Sequence, residues 1–223
     1  MHNNETPLRS ARVPASQVER SLRSAGLFMR LGASAGTQIA KDFFRSRDVD
    51  VKSAVLSPQN IQTAVTSLKH LRGAAMKFGQ LVSLDETVVL TPELAAIFAE
   101  LRNTGYAMPP KQLRQVLDKN WGLGWQKQFK SFDVRPIAAA SIGQVHRAKL
   151  KTGEDVAIKV QFPNIRRTID GDVSTLITMV KTFGVAPANL DIDHYASLAR
   201  DQLIAETDYL QEADNLRQFA QYL

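Results

Sequence analysis

Helical spacing of apolar residues dominates this chain, and strand-like alternation is confined to a short region in its second half. From Val18 to Phe44 a helical pattern runs through Leu22, Leu27, Phe28, Leu31, Ile39, Phe43 and Phe44. Ahead of it the chain is polar to about Gln17, with Pro7 and Pro14 opposing a helix, and reads as a mobile tail. Ser57 followed by Pro58 is a cap with proline at the first helical position, and Ile61, Val65, Leu68, Ala75 and Val82 then mark one buried face. Thr91-Pro92-Glu93 opens another helix that runs to about Arg102, before Gly105. Pro109-Pro110 opens a short one to Asn120, closed by Trp121-Gly122-Leu123-Gly124-Trp125. Its tryptophans read as packing anchors where helices meet strands. Around Phe183-Gly184-Val185-Ala186-Pro187 a glycine and a proline separate two further helical patterns. The second spans roughly Asp193 to Leu223, with Leu198, Leu203, Leu210, Ala213 and Leu216 apolar.

Between these helices, Val145 to Leu150 alternates as a strand, Lys151-Thr152-Gly153-Glu154 supplies turn chemistry, and Val156 to Val160 is a β-branched run. The stretch Pro136-Ile137-Ala138-Ala139-Ala140-Ser141-Ile142-Gly143-Gln144-Val145 precedes this hairpin. Set against the kinase nucleotide loop G-x-G-x-x-G-x-V and its downstream V-A-I-K strand, it keeps Gly143, Val145 and Lys159. It carries Ala138 and Ala140 where the first two glycines belong. A lone V-A-I-K reads more readily as a half-buried strand with a solvated lysine; loop, hairpin length and terminal lysine together form a more specific pattern. Such a lysine holds nucleotide phosphates and pairs with a helix carboxylate. Glu206, Asp208 and Glu212 lie in the last helical pattern. Asp208 and Glu212, four apart, face one side, where two carboxylates would repel unless a cation sat between them. In the second helix Lys77 falls almost opposite the buried face and shares a stripe with Gly73 and Gln80. The plain reading is a solvated lysine and glutamine. The functional one is that glycines let this stripe press on a nucleotide site, Lys77 supplying charge and Gln80 an amide.

Lys77-Phe78-Gly79-Gln80, then Ala138-Ala139-Ala140-Ser141, then Glu206-Thr207-Asp208 occur in that order. On these motifs the chain resembles the atypical kinase-like family of ubiquinone (coenzyme Q) biosynthesis, the UbiB-like proteins, from about Ser57 to its last residue. The resemblance implies binding of ATP or ADP, with Mg expected in the full-length protein. It makes Lys159 the strand lysine, with Glu212 its better helix partner and Glu206 second, beside Asp208. The loop of Ala138, Ala139, Ala140, Ser141, Gly143 and Val145 would cover the nucleotide. Lys77 and Gln80 would close over the site and occlude a protein substrate. Full members continue into a helical lobe with a catalytic-loop aspartate, a metal-binding asparagine and an Asp-Phe-Gly-like aspartate. This sequence contains none of these; His194, in Asp193-His194-Tyr195, precedes a helix and lacks the downstream asparagine. The chain thus reads as the N-terminal half of such a protein, a fragment or a truncated product. Alone it is expected to perform no phosphoryl transfer and to leave the apolar side of its last helix exposed.

Composition narrows the alternatives. With 223 residues, 44% hydrophobic and 22% charged, the chain has room for one domain plus an extension. It has no cysteine, which excludes a disulfide framework or a cysteine-ligated metal, and its four scattered histidines argue against zinc. The net charge of +6 comes without a compact basic block or interleaved aromatics, pointing away from nucleic acid and toward a nucleotide or an acidic membrane surface. The apolar run from Ala25 to Ala40 is interrupted by Arg30 and falls short of the ~20 residues of a spanning helix. A helix lying on a membrane suits it, with Arg and Lys flanking Phe28 and Phe43. No cleavable signal is evident, so the expected location is cytoplasmic, at most peripheral to a membrane. The expected fold is α+β and mostly helical, a helical extension packed on a partial protein-kinase-like small lobe. Residues 1–52 form a tail and amphipathic helix, 53–130 the extension, and 131–223 the partial lobe. The rival reading is a non-catalytic regulatory module that binds lipid or partners, ubiquinone-biosynthesis proteins among them.

Overall fold

The computed structural model describes residues 9–14, 71–103, 106–184 and 186–222, with scattered positions between 19 and 34. Most of the expected helix over Val18–Phe44, and the Ser57-Pro58 start of the next, lie outside the described residues. The architecture is mixed and mostly helical, built on a small antiparallel sheet. No helix among the described residues is long and apolar enough to cross a membrane.

β1 (Arg9–Ser10) pairs in parallel with β2 (Tyr106–Ala107). Just beyond it the Gln112 carboxamide clasps Val13, accepting from its N–H at 3.0 Å and donating to its carbonyl at 2.8 Å. The expected mobile tail is therefore wrong for residues 9–14. Backbone and amide hydrogen bonds tie the segment down, Val13 packs against the Leu113–Trp125 core and Pro14 is buried, contacts with residues about a hundred positions away that local hydropathy does not reveal.

α1 (Arg72–Ser83) carries Ala74, Ala75, Phe78 and Val82 at three- and four-residue steps, all buried. α2 (Pro92–Asn103) starts at Thr91, whose Oγ1 accepts from the Leu94 N–H at 3.3 Å. α3 (Pro110–Trp121) has proline in its first turn and stops at Gly122, which takes φ 80°. The strands β3 (Phe129–Phe132), β4 (Ala138–Ala139), β5 (Gly143–Leu150) and β6 (Asp155–Gln161) follow. β5 is central, with β6 antiparallel along one edge and β3 then β4 along the other.

The alanine stretch expected as a loop is partly strand. Ala138 and Ala139 pair with Val145 and Gln144, and the Ala140 N–H donates to the Gly143 carbonyl at 2.8 Å. None of the three alanines has a positive φ. Their Cβ atoms disfavour the left-handed conformations that glycine permits, and the extended backbone left to them is compatible with the sheet.

α4 (Ile165–Phe183), α5 (Ile192–Glu206) and α6 (Tyr209–Ala220) complete the chain. The single helix expected from about Asp193 to Leu223 is broken at Thr207-Asp208. The Thr207 hydroxyl donates back to the Ile204 carbonyl, its own carbonyl accepts from the Gln161 amide at 3.0 Å, and the Asp208 carboxylate caps α6 at the Gln211 N–H. Apolar spacing runs through such a break unchanged, so periodicity missed it. His194 lies inside the first turn of α5 rather than before it, under the Asp191 cap.

One core joins α1, α2, α4 and α5 around Phe78, and Ile142 of the loop is buried in it. A second sets Leu113 and Leu117 of α3 against Trp125 and Val160. Trp125 is buried and Trp121 is 41% exposed, so only the first is an inner anchor.

Under the sheet lies a buried polar relay. The Met108 N–H donates to Gln144 Oε1 at 2.6 Å, which turns the Gln144 amide toward His146 Nε2 at 2.8 Å. His146 Nε2 must then accept, and its Nδ1–H donates to the Asp133 carbonyl at 2.8 Å. The imidazole is thus neutral, and burial holds it below its ordinary range against the opposing pull of Asp133. Because its folded value is depressed, the unfolded chain binds the proton more readily. This contribution to stability is complete above the unfolded value near 6.5 and is lost as pH falls through that value toward the folded one. Thermal melts of wild type and His146→Gln from about pH 7.5 to 5.5 are expected to show the steeper acid loss in wild type. Parallel profiles would remove the relay from the pH dependence.

Candidate functional site: two lysine–glutamate pairs beside the alanine loop

Lys159 lies opposite Val145 in the β5–β6 register and shares a sheet face with Ala157, paired to Arg147. The other face buries Ala148 and Val160, so Lys159 points away from α3. α6 covers it. The Lys159 ammonium donates to both oxygens of Glu212, at 2.9 and 3.0 Å, and lies 4.9 Å from the centroid of the Tyr209 ring. This pair is partly open to solvent, with side-chain exposures of 35% on the lysine and 37% on the glutamate.

A second pair sits deeper. Lys77 Nζ is 2.5 Å from Glu206 Oε1, the side chains 16% and 25% exposed. The Ser141 hydroxyl donates to Glu206 Oε2 at 2.5 Å. One carboxylate at the end of α5 therefore joins α1 to the alanine loop. Gly73, one turn before Lys77, makes the approach possible, since a Cβ there would lie 2.5 Å from the Ser141 carbonyl oxygen.

The sequence-based candidates thus separate. Lys159 meets Glu212, and Lys77 meets Glu206 and Ser141. The Gln80 side chain is exposed, whereas Lys77 is largely buried on Glu206. Lys77 is not a solvated lysine, because α1 is packed on several sides rather than one. Asp208 caps α6 by accepting from the Gln211 N–H. Ala138 and Ala139 lie in β4, Ala140 in the turn after it, and Val145 half-buried beside Lys159. At Gly143 a Cβ would stand 2.5 Å from the Val160 carbonyl oxygen and 3.1 Å from the Tyr209 hydroxyl.

Sequence reasoning missed Tyr209, whose signal was its place one helical turn before Glu212. It also missed the Ser141 hydroxyl as a partner for Glu206. Among the described residues no three His, Asp or Glu gather to hold a metal ion, and the two carboxylates nearest the site are each paired with a lysine.

Residues 100–223 match the ABC1 atypical kinase-like domain. The Saccharomyces cerevisiae protein "Atypical kinase COQ8, mitochondrial" is 35% identical over 212 residues, covering 95% of this chain and 42% of the relative. "Atypical kinase COQ8B, mitochondrial" of Danio rerio is 34% identical over 216 residues, 95% of this chain and 35% of that protein. "Probable protein kinase UbiB" of Pseudomonas putida is 33% identical over 155 residues, 68% of this chain and 28% of that protein. This chain therefore spans less than half the length of each of these relatives. The domain match covers more than half of the chain, with the strand lysine, the alanine loop and both lysine–glutamate pairs inside it except for Lys77. This chain belongs to the ABC1 atypical kinase-like family.

Proposed function

We propose that this chain carries the nucleotide-binding part of an ATP-dependent atypical kinase or ATPase serving ubiquinone biosynthesis. The observation that carries the reading is the bidentate Lys159–Glu212 pair beside the alanine loop, with both side chains about one-third exposed. A glutamate so placed holds the lysine extended, ready for the α- and β-phosphates of ATP or ADP. Val145 and Ala157 offer a small apolar surface on the same sheet face, suited to a base. Magnesium would arrive with the nucleotide, since both nearby carboxylates are already neutralised by lysines.

The packing of α1 on the loop supports a closing role for the Lys77 helix. Lys77 fixes Glu206, Glu206 fixes Ser141, and Gly73 presses on the Ser141 carbonyl, a geometry suited to restricting access by a protein substrate. Calorimetric titration of MgATP and MgADP into the chain tests the nucleotide reading. A specific observation favours the rival. Leu210, Leu216, Phe219 and Tyr222 are 62–83% exposed along and just after α6, an apolar surface that a lipid or a protein partner would cover. Liposome flotation without nucleotide binding would establish that second reading in place of the first.

The alanines make a further expectation. Replacing Ala138 or Ala140 with glycine restores backbone freedom worth about 0.5–1 kcal/mol and loosens the β4 edge. The ATP-to-ADP affinity ratio is expected to change by about two- to fivefold. An unchanged ratio would mean that the loop backbone does not discriminate between the two.

A further inference from the structure

Tyr209 is the first residue of α6 and stands between Glu206 and Glu212 along the chain. Its ring underlies the Lys159 ammonium, and its hydroxyl is pressed against Gly143, where only a hydrogen fits. That hydroxyl is buried and has no hydrogen-bond partner among the described residues. A buried phenol left unpaired is unfavourable, and phenylalanine would supply the same ring without that penalty. The surroundings show which acceptors are near. Burial first, and then the carboxylates of Glu212 and Glu206, push the phenol above its ordinary range. Glu212 is one helical turn further along α6, and Glu206 is held by Ser141, two residues before Gly143.

Both carboxylates are satisfied by lysines as long as those lysines stay in place. A phosphate that draws Lys159 off Glu212, or an opening of α1 that takes Lys77 off Glu206, leaves a carboxylate beside an unused donor. We infer that Tyr209 is a positioning residue whose hydroxyl is the reserve hydrogen-bond donor for Glu206 and Glu212 when either loses its lysine. In its phosphate-triggered form the inference rests on the nucleotide reading; the hydrogen-bond exchange itself does not. The ring holds Lys159 in the free protein, and the hydroxyl limits the penalty of releasing it.

A thermodynamic cycle on the whole chain decides the point. Tyr209→Phe is made in wild type, in Lys77→Met and in Lys159→Met, and each thermal midpoint is measured. In wild type the substitution is expected to leave the midpoint unchanged or raise it. In a lysine-less background the freed carboxylate has taken the hydroxyl, and the same substitution is expected to lower it. A reversal of sign in either background supports the inference; the same shift in all three overturns it. If Lys77→Met fails to fold, the more exposed Lys159→Met carries the cycle. Calorimetry with MgATP adds an arm in which Tyr209→Phe is expected to weaken binding about three- to tenfold, the worth of one hydrogen bond. Equal affinities would remove the phosphate trigger. A wild-type chain that binds no nucleotide would sink the nucleotide reading, while the melts still decide the donor.

Discussion

Replacing Gly73 with alanine is expected to lower the thermal midpoint by about 2–8 °C, and to loosen α1 from the alanine loop. The added methyl would meet the Ser141 carbonyl oxygen at 2.5 Å, and a backbone atom, unlike a long side chain, cannot swing aside. Either α1 lifts or the loop shifts, and both moves strain the Lys77–Glu206–Ser141 junction. Overpacking of this kind costs about 1–3 kcal/mol. Alanine's better helix propensity returns at most about 1 kcal/mol, and less in the first turn where Gly73 lies. The clash therefore wins by roughly 1–2 kcal/mol, at about 2–4 °C for each in a chain of this size. Gly79→Ala is the control. The atoms nearest its methyl would be those of the Phe98 ring, from 3.1 Å, and a side chain can yield more readily than backbone. Calorimetric melts in which Gly73→Ala matched wild type would show that the close approach is not needed.

Lys159→Met is expected to weaken MgATP binding by about 10- to 100-fold while barely moving the thermal midpoint. A charge-assisted hydrogen bond to phosphate is worth about 1.5–3 kcal/mol, which is that range in affinity. The Lys159–Glu212 pair is about one-third exposed on both sides, so water and salt screen it and its loss costs the fold no more than about 1 kcal/mol. Affinity and stability thus separate, as they would not if the lysine were chiefly a packing element. Unchanged affinity in titration calorimetry would show that the nucleotide, if it binds, is held elsewhere. A midpoint that collapsed with affinity intact would make the pair structural.

The sequence conveyed local features well. The β5–β6 hairpin, the Thr91 and Pro110 helix starts and the Gly184 stop lie within a residue or two of their expected places. Each depends on backbone preferences of a few neighbouring residues. The tied segment 9–14 was not legible because its partner Gln112 lies far along the chain, and the break at Thr207-Asp208 was missed because apolar spacing runs through it unchanged.

The same division holds at the site. Motif order and residue type, read from the sequence by itself, placed Lys159 on the second strand of the hairpin and singled out Glu206 and Glu212, because a hairpin is specified by short-range chemistry. The resemblance favoured Glu212 for Lys159, but the junction of Lys77, Glu206 and Ser141 was decided only by the tertiary structure. Lys159 and Glu212 stand 53 positions apart, and Ser141 and Glu206 65 apart. Once the chain breaks at Thr207, Glu206 ends one helix facing Lys77, and Glu212 lies on the next facing Lys159. Spacing along a sequence encodes the face of one helix. The angle between two helices comes from their packing on a shared core, and that angle determines which charges meet.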